Sequence, residues 1–131
     1  MDDQPIKSGD DVVRVRQLVR TAAAAGGLSL VDQTKLVTAA SELARNALVH
    51  GGGGAARVEA ITAANGRRGI RVTFTDSGPG IPDLEMALTD GWTTGGGLGL
   101  GLSGARRLVD EFSLTSEPGA GTSVVVSKWS R

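Results

Sequence analysis

The chain has 131 residues, 14 basic and 14 acidic side chains, one histidine and no cysteine. That length suits one domain with a real core, and the missing thiols exclude a disulfide, a zinc–thiolate or iron–sulfur site and a cysteine nucleophile. A lone His50 excludes a multi-histidine zinc centre, while zero formal charge and 3% aromatic content argue against a base-stacking nucleic-acid binder.

The N-terminus, MDDQPIKSGDD, is acidic and polar rather than signal-like, and no apolar run approaches a membrane span. The expectation is a single soluble cytoplasmic domain over residues 1–131, with neither nucleic acid nor membrane as partner. Residues 4–7 read as a short edge strand, where Pro5 is tolerated. Ser8 or Asp10 caps a helix running to about Gly26, with Val12, Val15 and Val19 on one stripe. A second helix starts at Ser29, with Asp32 three residues on, and carries Leu36, Ala40, Leu43 and Ala47 at helical spacing until Gly51. Residues 56–63 and 69–76 alternate as paired strands around an Asn65-Gly66 turn. In the second of these, Ile70, Val72, Phe74 and Asp76 share one face, which sets a carboxylate at the end of an apolar row. Such an inward aspartate is costly without partners, which marks Asp76 as a site candidate.

Pro82 and Asp83 open a short helix to about Asp90. The glycine-rich stretch 91–97 leads into a helix ending near Glu111, with Leu98, Leu102, Ala105, Leu108 and Phe112 on one side. Strands at 112–117 and 122–129 finish the chain. Helices first and strands after indicate an α+β fold, a two-layer sandwich with helices on one face of the sheet.

Four short segments carry chemistry. Glu42 and Asn46 lie one turn apart on the second helix, where a carboxylate can take a proton and an amide oxygen can bind a cation; an ordinary solvated pair has the same spacing. Asp76-Ser77-Gly78-Pro79-Gly80 follows the inward strand end, with glycines that admit a flat ligand and a carboxylate that accepts from an exocyclic amine; it is also a plain turn sequence. Gly97-Leu98-Gly99-Leu100-Gly101-Leu102 offers backbone N–H groups at a helix start, suited to phosphates or to a hinge. Gly119-Ala120-Gly121-Thr122 links the last strands. The match of Gly99 to Gly104 to a dinucleotide fingerprint fails, because no strand precedes it. His50 belongs to a helix end, where the dipole favours a cation. Arg67-Arg68 and Arg106-Arg107 read as solvated pairs.

In order, E-x-x-x-N, D-x-G-x-G, G-x-G-x-G and G-x-G-T resemble the N, G1, G2 and G3 boxes of the GHKL ATP-binding superfamily of gyrase, Hsp90, histidine kinases and MutL. The chain looks most like the small anti-sigma-factor-type serine/threonine kinases of bacterial partner switching. Asp90-Gly91-Trp92-Thr93-Thr94 and Arg106 to Phe112 are similar to the stressosome switch-kinase branch. The resemblance implies a Bergerat fold with a mixed, mostly antiparallel sheet. It implies ATP and Mg2+ as cofactors, with Glu42 as general base and Asn46 as magnesium ligand. Asp76 would accept from the adenine amino group, Gly78 and Gly80 would shape the adenine pocket, and Thr122 would line it. Gly97, Leu98, Gly99, Leu100 and Gly101 would sit at the phosphates. A STAS-type antagonist would be the substrate, and a PP2C-type phosphatase or a sigma factor the alternative partner. A nucleotide-dependent binding module that transfers no phosphate is the rival reading.

Overall fold

In a computed structural model, residues 3–78, 102–117 and 119–131 are described. The expected helix at 82–90, the stretch 91–97 and the start of the following helix lie outside them, as do Gly80, Gly97, Leu98, Gly99, Leu100 and Gly101.

The chain opens with a short strand β1 (Gln4–Ile6) and enters helix α1 (Gly9–Ala25) through Ser8, whose hydroxyl accepts from the Asp11 N–H at 3.4 Å. Val15, Val19 and Ala23, spaced by four, are the residues of α1 that are buried. Gly27 adopts φ +84°, and the Leu28 N–H returns to the Ala23 carbonyl at 3.0 Å. This left-handed cap turns the chain back and buries Leu28 beneath the helix end. Helix α2 (Leu30–Val49) starts from the Ser29 hydroxyl, 3.1 Å from the Asp32 N–H. It is the central strut: Leu36, Ala39, Ala40, Leu43, Ala44 and Ala47 are all buried. Their small side chains let the helix lie close to α1 and the sheet.

Strands β2 (Gly54–Thr62) and β3 (Arg68–Asp76) form a hairpin with Thr62 opposite Arg68. The expected turn is there, but it is a five-residue loop in which the Asn65 side chain accepts from the Arg67 N–H at 2.9 Å and Gly66 takes φ +86°. Helix α3 (Leu102–Leu108) leads into β4 (Glu111–Glu117), and β5 (Gly121–Trp129) returns between β3 and β4. The sheet order is β1-β2-β3-β5-β4.

The expected two-layer α+β sandwich is the fold observed. All four pairings between described strands are antiparallel. The mixed character implied by the resemblance is not seen among the described strands, because β5 lies between β3 and β4 and each neighbouring pair is antiparallel. One assignment shifts. Phe112, placed on the helix stripe as well as at a strand start, belongs to β4 opposite Val126; α3 ends at Leu108, and the Asp110 N–H is already bonded to the Ser127 carbonyl at 3.0 Å. Four-residue spacing from Leu108 to Phe112 suits a helix, but the start of the β4 ladder wins.

At the end of the domain where α2 begins, Asp32 and Lys128 are both buried. Lys128 Nζ lies 3.6 Å from Asp32 and 3.4 Å from Asp110, and Arg131 reaches the same two carboxylates at 3.2 and 3.6 Å. Two cations and two anions balance, which is the condition for burying charge without a large penalty. Burial works to raise the Asp32 pKa, but the Arg131 hydrogen bond and the charges of Lys128 and Arg131 outweigh it and hold the carboxyl below 3.8. The arginine pair expected to be solvated is exposed yet engaged: Arg67 donates to the Ser130 carbonyl, and Arg68 to the Ala25 carbonyl at 3.0 Å.

Candidate functional site

At the other end of α2, the helix terminus and the ends of β3 and β5 border a small cleft. Its walls are Leu43, Ala47, Phe74, Leu102 and Val124, and its polar groups come from Asn46, His50, Asp76 and Thr122. Alternation along β3 explains the arrangement. Val72 and Phe74 point at the helices, so Asp76 does too, and it emerges where the apolar row runs out. Antiparallel register then sets Thr122 of β5 directly opposite Asp76, with Gly54 of β2 on its other side.

Asp76 is half-buried, and its Oδ1 accepts from the Gly78 N–H at 2.9 Å. The carboxylate is thereby fixed by its own turn, which leaves lone pairs for a donor inside the cleft. Glycines crowd it on every side. A Cβ added at Gly51 would lie 2.5 Å from Asp76 Cγ, and one at Gly121 would lie 2.1 Å from the Asp76 carbonyl oxygen. Gly78 in turn packs on Gly51, where an added Cβ would meet its Cα at 2.6 Å. Gly121 also takes φ +99°, so the glycine before Thr122 is required by both space and backbone angle.

Of the residues singled out in the sequence, Asn46, Asp76 and Thr122 come together on this cleft, and Gly78 stands behind Asp76. Glu42 lies one turn before Asn46 on α2, half-buried, and is not among the residues lining the cleft. The flanks of that pair differ: Ala39 is fully buried, but Val49 is 52% exposed. Gly80 and Gly97 to Gly101 fall outside the described residues.

Gly51, Phe74, Ser116 and Val124 were missed. Ser116 forms a hydroxyl pair with Thr122 at 3.0 Å and donates to the Gly121 carbonyl at 3.1 Å. Gly51 had a visible signal, the helix stop beside His50, but nothing in the sequence says that it would meet Asp76. For His50 the expected cation is not what the surroundings favour. Burial pushes the imidazole pKa below 6.5, towards the neutral form, although the residue does cap α2 as expected.

The chemistry of this lining suits a flat, mostly apolar ring that presents a hydrogen-bond donor to Asp76. Adenine has that chemistry. Among the described residues no group of three or more histidine, aspartate or glutamate side chains could hold a metal ion.

Residues 31–130 match the family described as histidine kinase-, DNA gyrase B- and HSP90-like ATPases. The chain is 46% identical over 121 residues to the serine/threonine-protein kinase RsbT of Bacillus subtilis, an alignment covering 92% of this chain and 90% of that one. It is 33% identical over 101 residues to an anti-sigma F factor of Halalkalibacterium halodurans, covering 74% and 69% of the two chains. In fold it is similar to the crystal structure of the RsbU and RsbW domains of Rv1364c from Mycobacterium tuberculosis. The TM-score there is 0.64 at 24% identity, over all of this chain and 33% of that one. No described helix is long and apolar enough to cross a membrane.

Proposed function

The chain belongs to the histidine kinase-, DNA gyrase B- and HSP90-like ATPase family, and from that membership we propose that it is an ATP-dependent serine/threonine protein kinase of a partner-switching stress-response or sigma-factor pathway. The observation that carries the reading is the convergence of Asn46, Asp76 and Thr122 on one apolar-walled cleft. Similarity to a serine/threonine kinase across nearly the full length of both chains supports the activity.

The adenine ring lies between Leu43 and Ala47 on the helix side and Phe74 and Val124 on the sheet side. Asp76 accepts from its amino group, and the Thr122 hydroxyl, held by Ser116, lines the ring's edge. Gly51, Gly78 and Gly121 keep Asp76 in place by allowing no slack around it. From the resemblance of their motifs, Gly97, Leu98, Gly99, Leu100 and Gly101 are assigned to the phosphates and Gly80 to the adenine pocket. Asn46 would hold Mg2+ through its amide oxygen, and the ion would supply charge neutralisation at the phosphates. Glu42, one turn earlier on the same helix, orients the serine or threonine hydroxyl of the partner and accepts its proton. The bond from the γ-phosphorus to the ADP oxygen breaks as the bond to the hydroxyl oxygen forms.

The protein substrate is a STAS-type antagonist, and the alternative partner is a PP2C-type phosphatase or a sigma factor, in the cytoplasm. Phosphorylation adds nearly two negative charges to a packed surface and ejects the antagonist. Incubation with magnesium-ATP and a candidate STAS protein, followed by intact mass, tests this. A mass increase of one phosphate on the partner supports it. Nucleotide binding with no transfer to any STAS candidate would favour a pure binding module.

A further inference from the structure

Asp76, Thr122 and Ser116 form one row across the sheet: Thr122 of β5 stands opposite Asp76 of β3 on one side and Ser116 of β4 on the other. Asp76 and Thr122 line the cleft, whereas Ser116 lies behind Thr122 and is not among the lining residues. The Ser116 hydroxyl oxygen is 3.1 Å from the Gly121 carbonyl and 3.0 Å from the Thr122 hydroxyl. A carbonyl can only accept, and a serine hydroxyl carries one hydrogen. The oxygen positions assign that hydrogen to Gly121, so the hydrogen between the two hydroxyls belongs to Thr122. The opposite arrangement would set two oxygen lone pairs against each other across 3.1 Å. With its hydrogen committed to Ser116, Thr122 turns only lone pairs towards the cleft.

We propose that Ser116 is a positioning residue that sets which base the cleft accepts, an inference that rests on the nucleotide reading above. By taking the Thr122 hydrogen, it makes Thr122 an acceptor beside the acceptor Asp76. Two acceptors along the N–H bonds of one amino group, each about 2.9 Å from its nitrogen, are about 5 Å apart. Directly opposed residues on one sheet face hold their Cβ atoms about 4.5–5.5 Å apart, so Asp76 and Thr122 have the spacing for that group. A purine with a carbonyl in its place would bring a third acceptor into the row, and neither side chain could donate to it. Without Ser116, the Thr122 hydroxyl is released to turn its hydrogen into the cleft and donate to such a carbonyl. Discrimination between the two bases therefore depends on a side chain that does not touch the ligand.

The test titrates the full chain and its variants with ATP and with inosine triphosphate, with melting curves recorded alongside. Ser116→Ala should lower the ratio of ATP to inosine triphosphate affinity about threefold to tenfold, chiefly by tightening the inosine nucleotide. Ser116→Cys, close in size but a weak donor and acceptor, should move the ratio the same way, and Ser116→Thr, which keeps the hydroxyl, should preserve it. In a Thr122→Val background, Ser116→Ala should shift the ratio no further, because the serine acts through that hydroxyl. A serine that merely supports the β4–β5 turn would, on removal, lower the melting temperature and weaken both nucleotides in parallel. That result, or an equal shift in the Thr122→Val background, would overturn the proposal. Failure of the wild type to bind either nucleotide would instead sink the nucleotide reading, and this inference with it. Wild-type binding with an unchanged ratio in the alanine and cysteine variants would sink the role of Ser116 alone.

Discussion

Gly51→Ala adds one methyl group at the point where helix, strand and cleft meet. The new Cβ would lie 2.5 Å from Asp76 Cγ, 2.6 Å from Asp76 Cβ and 2.7 Å from the Ala47 carbonyl oxygen. Non-bonded carbons rest at about 3.5–4.0 Å, so Asp76 or the end of α2 must move by about 1 Å. Neither moves freely. Asp76 is bonded to the Gly78 N–H and sits between β2 and β5, and the Gly51 N–H is itself bonded to the Asn46 carbonyl at 3.2 Å. Overpacking of this kind costs about 1–3 kcal/mol. For a chain of this size that is a fall in melting temperature of about 4–12 °C. Displacing the carboxylate also weakens its hydrogen bond to adenine, worth about 1.5–3 kcal/mol, or about 10–150-fold in ATP affinity. Scanning calorimetry and ATP titration on the same preparation read both effects. Gly104→Ala is the control: it lies within α3, where a Cβ meets nothing within 4 Å, and should stabilise by about 0.5–1 kcal/mol. If Gly51→Ala melts with the wild type and binds ATP as tightly, the packing argument around Asp76 is wrong.

Three further outcomes are expected. Glu42→Gln should lower phosphate transfer to the partner by about 100-fold or more while ATP affinity stays the same; transfer at the wild-type rate would remove Glu42 from its role as base. Lys128→Met strands Asp32 and Asp110 beside Arg131 alone, and should cost about 3 kcal/mol in urea unfolding. It should leave ATP affinity untouched, because Asp32 and Asn46 lie about 21 Å apart along α2; a coupled loss of ATP binding would contradict that separation. For His50 the folded pKa lies below 6.5, so the unfolded chain takes up the proton first as pH falls. Its effect is nil well above pH 6.5, and stability is lost as pH drops below that value. Urea midpoints across this window should fall more steeply for the wild type than for His50→Asn, and parallel curves would refute the sign.

Local rules read much of this fold. Ser8 and Ser29 cap their helices because each sits just before a run of helical apolar spacing, and alternation along Ile70, Val72, Phe74 and Asp76 places the aspartate at the cleft. What stayed hidden depends on residues far apart in the chain. Gly51 matters because α2 happens to end against Asp76, a contact set by the crossing of helix over sheet. Lys128 stands on the inward face of β5 among valines, where only the arrival of Asp32 from α2 and Asp110 from the α3–β4 turn makes its burial tolerable. For His50 the helix end is local and legible, whereas the burial that lowers its pKa comes from the tertiary arrangement of the cleft.

The account rests on Asp76 reading an amino group inside the cleft, and titration of wild type and Asp76→Asn with ATP and with inosine triphosphate tests that directly. Inosine carries a carbonyl where adenine carries the amine, so the wild type should prefer ATP by about tenfold or more. The asparagine variant, which can donate to that carbonyl, should lose the preference or reverse it. Equal binding of both nucleotides by the wild type, or an unchanged preference in the variant, would mean that Asp76 does not face the base.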